Sequence, residues 1–478
     1  MRNALCAIEF EAGNDGASYD ACRRAVDDAG TRGGLVSAVD LTNFAEASRS
    51  LFKLDEAERI AIEATTALPS WYGNPWMELG ELYVRQGRFA EALAALRKMP
   101  EYRMQRPPHV RDVDRGETRR VLSSFLLVMG KAQDAAEVTG RAIAAPDRRA
   151  HNSRDPAQDE TVIALLDRSA RLSSAELALE EAAVLPWYAR PKQWLAAAAR
   201  TIEARRSAAR IAKLLDEDER LGGMFRIGQA SAAIMPPWLV GELVSVLGPG
   251  VAKAASESAG KADKRPGASA YYDAIAAEVA WSSGQDVEAL AIAQRAIAAL
   301  GPGEVLLAAR LHAIAADAAR RSEHWDRANV HYDAVFQRDP GVLRRLGLPV
   351  AVRVRTDGTY GAEVADMLER SPRFVRSDSG LSLTVQVDRV SARVCLVSPQ
   401  GQMISCADVD AVEASKAAAA AAANKDAKAA TPAPWPEHVA REALRQLFAP
   451  RVDLSQTDIH SLDGQNLSGR DALRSVLE

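Results

Sequence analysis

Two cysteines near the C-terminus have the spacing to form a disulfide bond. Cys395 and Cys406 lie in adjacent segments of β-branched and alternating residues, which predict two strands. If Gln400–Gly401 forms a two-residue hairpin turn, Val397 pairs with Ile404 and the two cysteines lie directly opposite each other. Opposed Cα atoms are about 4.5 to 5.5 Å apart, which is within the disulfide range. We expect a disulfide in preference to two buried thiols, and such a bond would indicate an oxidising compartment.

Cys6 and Cys22 fall in two consecutive predicted helices. Four cysteines in a chain of 478 residues do not make a disulfide framework. Because free cysteine often behaves as a small buried apolar residue, we expect two buried thiols here, with a disulfide as the alternative.

The residues that catalysis or metal binding would need are not arranged in a familiar motif. The sequence has no phosphate-binding loop, no dinucleotide fingerprint after a strand, no nucleophile elbow and no His-Glu-x-x-His segment. His324 and His331 could share a face of one helix, but Trp325 marks a predicted break between helices. We expect no catalytic residue, no metal site and no cofactor, and we predict that the chain is not an enzyme.

Composition indicates closely packed helices. The chain is 47% hydrophobic but only 5% aromatic, so its apolar content is mainly Ala, Leu and Val. Its net charge of -4 gives no indication of a nucleic-acid partner. No apolar run approaches the roughly 18 residues of a membrane-spanning helix.

The N-terminus has no evident signal peptide. Residues Met1–Glu9 contain one positive charge and an apolar stretch that is too short for a signal-peptide core. The predicted location is cytoplasmic by default, and the periplasm or cell envelope if a signal has been removed.

A helical hairpin is predicted at residues 74–96, and it is the best-preserved copy of a pattern that recurs along the chain. Two short helices are broken at Gln86-Gly87-Arg88, and Gly80 and Ala92 would let the two backbones approach closely. The order Trp76, Leu79-Gly80, Tyr83, Gly87 and Ala92 resembles a tetratricopeptide repeat (TPR). The resemblance extends over about residues 3–340, and it implies a superhelix of stacked hairpins with a concave groove.

The spacing of small residues supports the repeat. Cys22, Ala57 and Ala92 are 35 residues apart each time (57 - 22 and 92 - 57). Less regular hairpins follow around Ala135, Ala175 and Trp194, and the repeat returns at residues 277–296 and 316–340. We predict about eight hairpins.

The predicted fold class is mainly α: a TPR-like α-solenoid followed by a small α+β domain. The predicted segments are hairpins at 1–220, an irregular or degenerate repeat with a flexible segment at 221–269, hairpins at 270–345, the α+β domain at 346–450 with an Ala/Pro-rich linker at 411–436, and a turn-rich tail at 451–478. Residues 248–267, rich in Ala, Lys, Gly and Ser, are predicted as a loop or flexible stretch. The strand and helix order of the α+β domain is similar to small envelope-associated α/β domains of the curli-secretion and Tol-system type.

The TPR resemblance implies that the first helix of each hairpin lines the groove. An aromatic side chain beside several arginines is typical of an interface hot spot. Alternatively, Trp281 packs against the next hairpin and the arginines are solvated. The predicted partner-binding residues are Tyr271, Glu278, Trp281, Arg310, Asp317, Arg320 and Arg321, with Asn74, Met77 and Glu81.

These observations predict a non-enzymatic scaffold or adaptor that binds a protein partner in its groove, within a larger assembly. The alternative is a regulatory subunit, or a cryptic enzyme with its site in the α+β domain. A pocket in which Asp388, Arg389 and Arg393 converge would favour that alternative.

Overall fold

The computed structural model describes residues 2–11, 14–31, 36–67, 69, 73–105, 115–144, 156–217, 236–411 and 435–450, together with the single positions 452, 454, 457 and 462. Most of the predicted linker, most of the predicted tail and residues 221–235 of the predicted irregular segment lie outside the described residues.

The chain is mainly α-helical, with a small sheet domain after the helices, which confirms the predicted fold class. The first ten helices are α1 (Arg2–Glu11), α2 (Asp15–Thr31), α3 (Ala38–Ser50), α4 (Leu54–Thr66), α5 (Pro75–Arg85), α6 (Phe89–Met104), α7 (Arg115–Val128), α8 (Ala132–Ala144), α9 (Pro156–Val184) and α10 (Arg190–Glu217). The next seven are α11 (Val240–Leu247), α12 (Pro249–Ala262), α13 (Ala268–Ser282), α14 (Asp286–Ala299), α15 (Val305–Arg321), α16 (Trp325–Arg338) and α17 (Gly341–Arg345).

Five connections between consecutive helices have the same backbone conformation. Each is three residues long, and its middle residue has a positive φ of 60° to 74°: Phe52, Gly87, Gly130, Gly284 and Glu323. In every case the third residue donates its N–H to a carbonyl five positions earlier, as Arg88 does to Tyr83 at 2.8 Å. This is the Schellman closure, which satisfies carbonyls at the end of the first helix. The same local structure therefore recurs along the chain.

A small residue occupies the same place after each of these connections. The N–H of an alanine bonds to the carbonyl of the last connection residue, as Ala92 does to Arg88 at 2.9 Å. The five alanines, Ala57, Ala92, Ala135, Ala289 and Ala328, are at most 1% exposed. Gly80 has the same function on the facing helix, since a Cβ there would lie 3.4 Å from Val121 Cγ1. Close helix contact explains why these positions are small.

The first hairpin contains a disulfide that corrects one prediction. Cys6 in α1 and Cys22 in α2 are bonded, with their Cα atoms 4.9 Å apart. The preference for two buried thiols is therefore wrong. Both residues are buried, as expected, but the close approach of the two helices brings their sulfur atoms together.

Residues 249–262, which were predicted to be part of a loop or flexible stretch, form helix α12. Pro249 stands at the first helical position, where its missing N–H is not needed. The alanines and lysines that suggested a flexible segment also have high helix propensity, and here that propensity prevails.

The C-terminal sheet has five strands in the order β2-β1-β3-β4-β5. Its elements are β1 (Val350–Asp357), α18 (Gly361–Glu369), β2 (Phe374–Arg376), β3 (Leu381–Val387), β4 (Ser391–Val397), β5 (Met403–Asp410) and α19 (Trp435–Leu447). Strand β1 is parallel to β2 and β3, while β3, β4 and β5 are antiparallel. The short edge strand β2 was missing from the sequence prediction.

The β4–β5 hairpin pairs Cys395 with Cys406, and the two are joined by a disulfide. The predicted pairing of Val397 with Ile404 is wrong, because Val397 pairs with Met403 and the ladder has an irregularity at this point. The loop is longer than two residues: Ser398 N donates to Gln402 O at 2.8 Å, and Gly401 has a φ of 85°. A three-residue loop followed by a bulge restores the register that a two-residue turn would give.

The structure divides into two compact units. Unit 1 contains Met1–Ala170, Arg205–Leu311 and Val452–Glu478, and unit 2 contains Arg171–Ala204 and His312–Arg451.

Candidate functional site

Glu278 and Arg310, two of the predicted groove residues, are buried and bonded to each other within unit 1. Arg310 Nη2 and Nε donate to the two carboxylate oxygens of Glu278 at 2.7 and 3.0 Å. A second carboxylate, that of Glu242, lies 3.7 Å from Arg310. None of these three side chains is exposed enough for a partner to reach.

Tyr271 belongs to a second buried cluster, with Arg85 and Glu304. Arg85 Nε donates to Glu304 at 2.9 Å, and the Tyr271 hydroxyl donates to the same carboxylate. Burial raises the pKa of Tyr271 well above its usual value, so the hydroxyl remains a donor. Arg85 and Glu304 are 219 residues apart in the sequence, and no local pattern could have paired them.

Asn74, Met77 and Glu81 are also buried. Asn74 is a helix cap: its Oδ1 accepts from Trp76 N at 3.2 Å, and its Nδ2 donates to Met99 O at 3.3 Å. Glu81 forms an ion pair with Arg49 and another with Arg120 at 3.3 Å. These residues stabilise the hairpins of unit 1.

The remaining predicted residues are divided between the two units. Asp317, Arg320 and Arg321 are in unit 2, where Asp317 pairs with Arg320 at 2.6 Å and with Arg321 at 3.1 Å. Trp281 is half-buried in α13 of unit 1. Of the predicted set, the two arginines keep the most exposed charged groups.

A histidine pair in unit 2 is structural. His312 Nδ1 and His331 Nδ1 are 2.9 Å apart, and both rings are buried. Burial lowers the pKa of His312 to about 3 and that of His331 to about 4, so both are neutral and one donates to the other. No group of three or more potential metal ligands is found in the described ranges.

The residues named for the enzyme alternative, Asp388, Arg389 and Arg393, do not line either of the two cavities described below. Arg393 Nε donates to Asp408 at 2.7 Å on the exposed face of β4 and β5. The backbone carbonyl of Asp388 accepts from Trp435 Nε1 at 2.8 Å.

A polar cavity of about 630 Å³ in unit 2 is the best candidate site. The connection before α16 and the first turns of that helix form one wall, and β1, β3 and the loop before β3 form the other. The lining residues are Glu323, His324, Trp325, Asp326, Arg327, Asn329, Arg353, Arg355, Asp378, Ser379, Gly380, Ser382 and Pro399.

Asn329 supplies a buried hydrogen-bond acceptor at this cavity. The residue is 8% exposed, and its Nδ2 donates to Ser379 O at 3.1 Å. That bond fixes the orientation of the amide, because Ser379 O can only accept. Within the described residues, Asn329 Oδ1 has no hydrogen-bond partner. A ligand N–H or O–H group would satisfy it.

Three arginines supply positive charge around the acceptor. Arg353 and Arg355 alternate along β1, so they lie on the same face of the sheet. Arg353 Nε is 3.9 Å from Asp378, whereas Arg355 has no ion pair with any described residue. The third arginine, Arg327, is on α16. The lining also contains three acidic residues, Glu323, Asp326 and Asp378, so charged groups of both signs surround the acceptor. The alternating arginines of β1 were the sequence signal for the cavity.

A residue of a helix connection lines the cavity with a positive φ. Glu323 has a φ of 60°, a conformation in which three of the five equivalent connections have glycine. Among the described residues Phe52 also has this conformation without being glycine, and it lines a cavity of about 450 Å³ in unit 1 with Tyr19 and Tyr271. The conformation belongs to the Schellman closure that all five connections share.

Within the described part of the chain, no helix is both long enough and apolar enough to cross a bilayer.

Searches of protein-family models and of curated proteins found no match to this chain.

Proposed function

We propose that the chain is a non-enzymatic scaffold of the tetratricopeptide type that binds a segment of a partner protein. The observation that carries the proposal is the recurrence of one helix connection, with the same Schellman closure and a buried alanine after it, at five places. Repeats of this kind build rigid frameworks for protein recognition.

The partner segment binds at the polar cavity of unit 2 in this proposal. Most of the predicted groove residues are buried, so they have little surface that a partner could contact. This favours the cavity as the binding site. The cavity has exposed arginines for an acidic side chain, and Asn329 Oδ1 can accept from the N–H of a peptide backbone.

The proposal includes an oxidising compartment, such as the periplasm or another part of the cell envelope. All four cysteines are in disulfides, which persist under oxidising conditions.

Affinity capture with three forms of the full chain tests the binding site. The cavity variant carries Arg327→Ser and Arg355→Ser, and the control carries Arg376→Ser, which removes an exposed arginine of β2 outside the cavity. We expect the unmodified chain and the control to capture the same protein, and the cavity variant to lose it by roughly tenfold or more. Equal capture by all three forms would exclude the cavity as the binding site.

A second candidate is a regulatory subunit or an enzyme whose site lies in the α+β domain. The same cavity supports it, since a buried acceptor beside arginines also suits a small organic acid with a hydroxyl or amino group. A thermal-shift screen of hydroxy acids and amino acids separates the two. A shift that the cavity variant abolishes, without any captured protein, would favour this second candidate.

A further inference from the structure

The connection between α9 and α10 carries an exposed cluster of large apolar side chains. Trp187 is 77% exposed, Tyr188 70%, Trp194 52% and Leu195 72%. Ile202, two turns further along α10, is 51% exposed. No other stretch of similar length among the described residues exposes as many large apolar side chains. Several large exposed apolar side chains within one short segment are typical of an interaction surface.

Unit 2 holds this cluster rigidly. Glu180 of α9 forms a two-point ion pair with Arg344 at 2.8 and 2.9 Å, and Glu181 forms another with Arg441 at 2.7 and 2.8 Å. The carbonyl of Ala183, one residue before α9 ends at Val184, accepts from Arg370 Nε at 3.1 Å. The cluster is therefore fixed to the sheet domain through α9, and exposing it is a stable feature of the fold.

The two aromatic rings of the connection are also ordered relative to each other. Trp187 and Tyr188 make an edge-to-face contact with their centroids 6.0 Å apart, although both remain mostly exposed. Arg190 Nε closes the connection by donating to Leu185 O at 2.9 Å. A preformed cluster loses little conformational entropy when it binds.

The segment that carries the cluster is basic, and the nearest acidic residue after it, Glu203, pairs with Arg200 at 3.5 Å. Residues 185–202 contain Arg190, Lys192 and Arg200 and no Asp or Glu, whereas the whole chain has a net charge of -4. Tyr and Trp have an apolar ring and one polar group, and they concentrate where a bilayer meets water. Basic residues beside such rings add attraction to anionic lipids.

We propose that this surface, Trp187–Leu195 with Ile202, docks the protein on an anionic lipid bilayer. The aromatic side chains and Leu195 enter the headgroup region, and Arg190 and Lys192 contact lipid phosphates. The docking is peripheral and requires no membrane-spanning helix. It does not depend on the proposed partner site, because no residue of this surface lines the polar cavity.

Vesicle flotation with the full chain tests the proposal. The vesicles are phosphatidylcholine alone, or phosphatidylcholine mixed with phosphatidylglycerol. We expect the chain to float with the mixed vesicles, to float less with phosphatidylcholine alone, and to be released by added salt. Failure to float with either type of vesicle would overturn the proposal.

Matched variants locate the contact. Trp187→Ser with Trp194→Ser should lower the bound fraction by roughly tenfold or more, because each buried aromatic side chain contributes strongly to transfer from water. The control, Val287→Ser with Val330→Ser, removes two side chains that are 70% and 67% exposed elsewhere. It should bind as the unmodified chain does. Circular dichroism should be unchanged in both variants, because all four side chains are exposed.

Two outcomes would overturn the proposal in favour of another occupant. Equal flotation of the aromatic variant and the control would place the lipid contact elsewhere. Sedimentation showing a dimer that only the aromatic variant dissociates, with no flotation of the unmodified chain, would assign the surface to a second copy of the chain.

Discussion

Three carboxyl groups share two guanidinium groups inside unit 1. Arg49 contacts Glu81, lies 3.3 Å from Glu78 and 3.9 Å from Glu46, and Arg120 lies 3.3 Å from Glu81. Burial raises the pKa of Glu78 to about 7, with Arg49 opposing the shift and the other two carboxylates adding to it. Burial and the neighbouring carboxylates therefore favour the protonated form of Glu78.

Glu78→Gln should remove part of the pH dependence of stability. The pKa of Glu78 in the folded protein is raised above its usual 4.5. The contribution of Glu78 to the free energy of unfolding is therefore fully present below pH 4.5 and is lost as the pH rises through about 7. Glutamine cannot ionise, so at about pH 8 the variant should be more stable than the unmodified chain by roughly 1 to 3 kcal/mol. Urea unfolding at about pH 5 and about pH 8 measures the difference.

Glu137→Gln is the control for this prediction, because Glu137 is exposed and pairs with Arg141 on its own helix. It should leave the difference between the two pH values unchanged. If Glu78→Gln also leaves that difference unchanged, Glu78 is ionised throughout the range.

Residue identity alone could not predict this cluster. Glu81 was predicted to line the groove, and only the contacts between neighbouring hairpins show that it and Arg49 are buried. The same holds for Glu278 and Arg310. The helical face of each residue is a local property that the sequence reports, but burial of that face depends on segments that are distant in the sequence.

The five similar helix connections show which breaks between helices can be predicted from the sequence. The break at Gln86-Gly87-Arg88 was predicted because glycine favours positive φ, and the structure has it there. The equivalent connections at Phe52 and Glu323 have no such signal, yet they adopt the same backbone. The helices on either side impose that conformation, so tertiary packing determines it at these two places.

Glu323→Gly should stabilise the protein by about 1 kcal/mol, because glycine adopts positive φ without strain. Gly284→Ala is the opposite change in the equivalent position, and it should destabilise by about the same amount. A Cβ at Gly284 would have no atom within 4 Å, so the cost there would come from the backbone alone. Urea unfolding midpoints measure both effects. Two changes of the same sign would show that the strain assigned to Glu323 is absent.

The sheet also contains features that have no local sequence signal. The two strands that carry Cys395 and Cys406 were predicted from the sequence, as was the pairing of these cysteines. The three residues of β2 are too few to produce a pattern, and the bulge near Val397 depends on the hydrogen bonds of the loop. Short elements and irregularities were missed because they are set by their neighbours.

At the scale of the whole molecule, the hairpin architecture and the position of the sheet domain could be predicted, but the candidate site could not. The polar cavity needs α16 and β1 to be near each other, and the sequence predicted them only as separate elements. Its arginines were visible as an alternating pair on a strand, without any indication of what faces them.

Thiol titration tests the two disulfides. The unreduced protein, denatured in urea, should have no free thiol, and the reduced protein should have four. Reduction should destabilise the chain by about 3 kcal/mol for each bond, the usual value for loops of this length. Four thiols in the unreduced protein would contradict the proposal of an oxidising compartment.

The two disulfides close loops of only 16 and 11 residues in sequence separation. Four cysteines allow three pairings, and the native one joins the nearest neighbours along the chain. Short loops close with the smallest entropy loss, so an unfolded chain already favours these two contacts over any that would join Cys22 to Cys395. The native pairing is therefore the one that a newly synthesised chain would form first, and oxidation as the chain emerges would require no later exchange of partners.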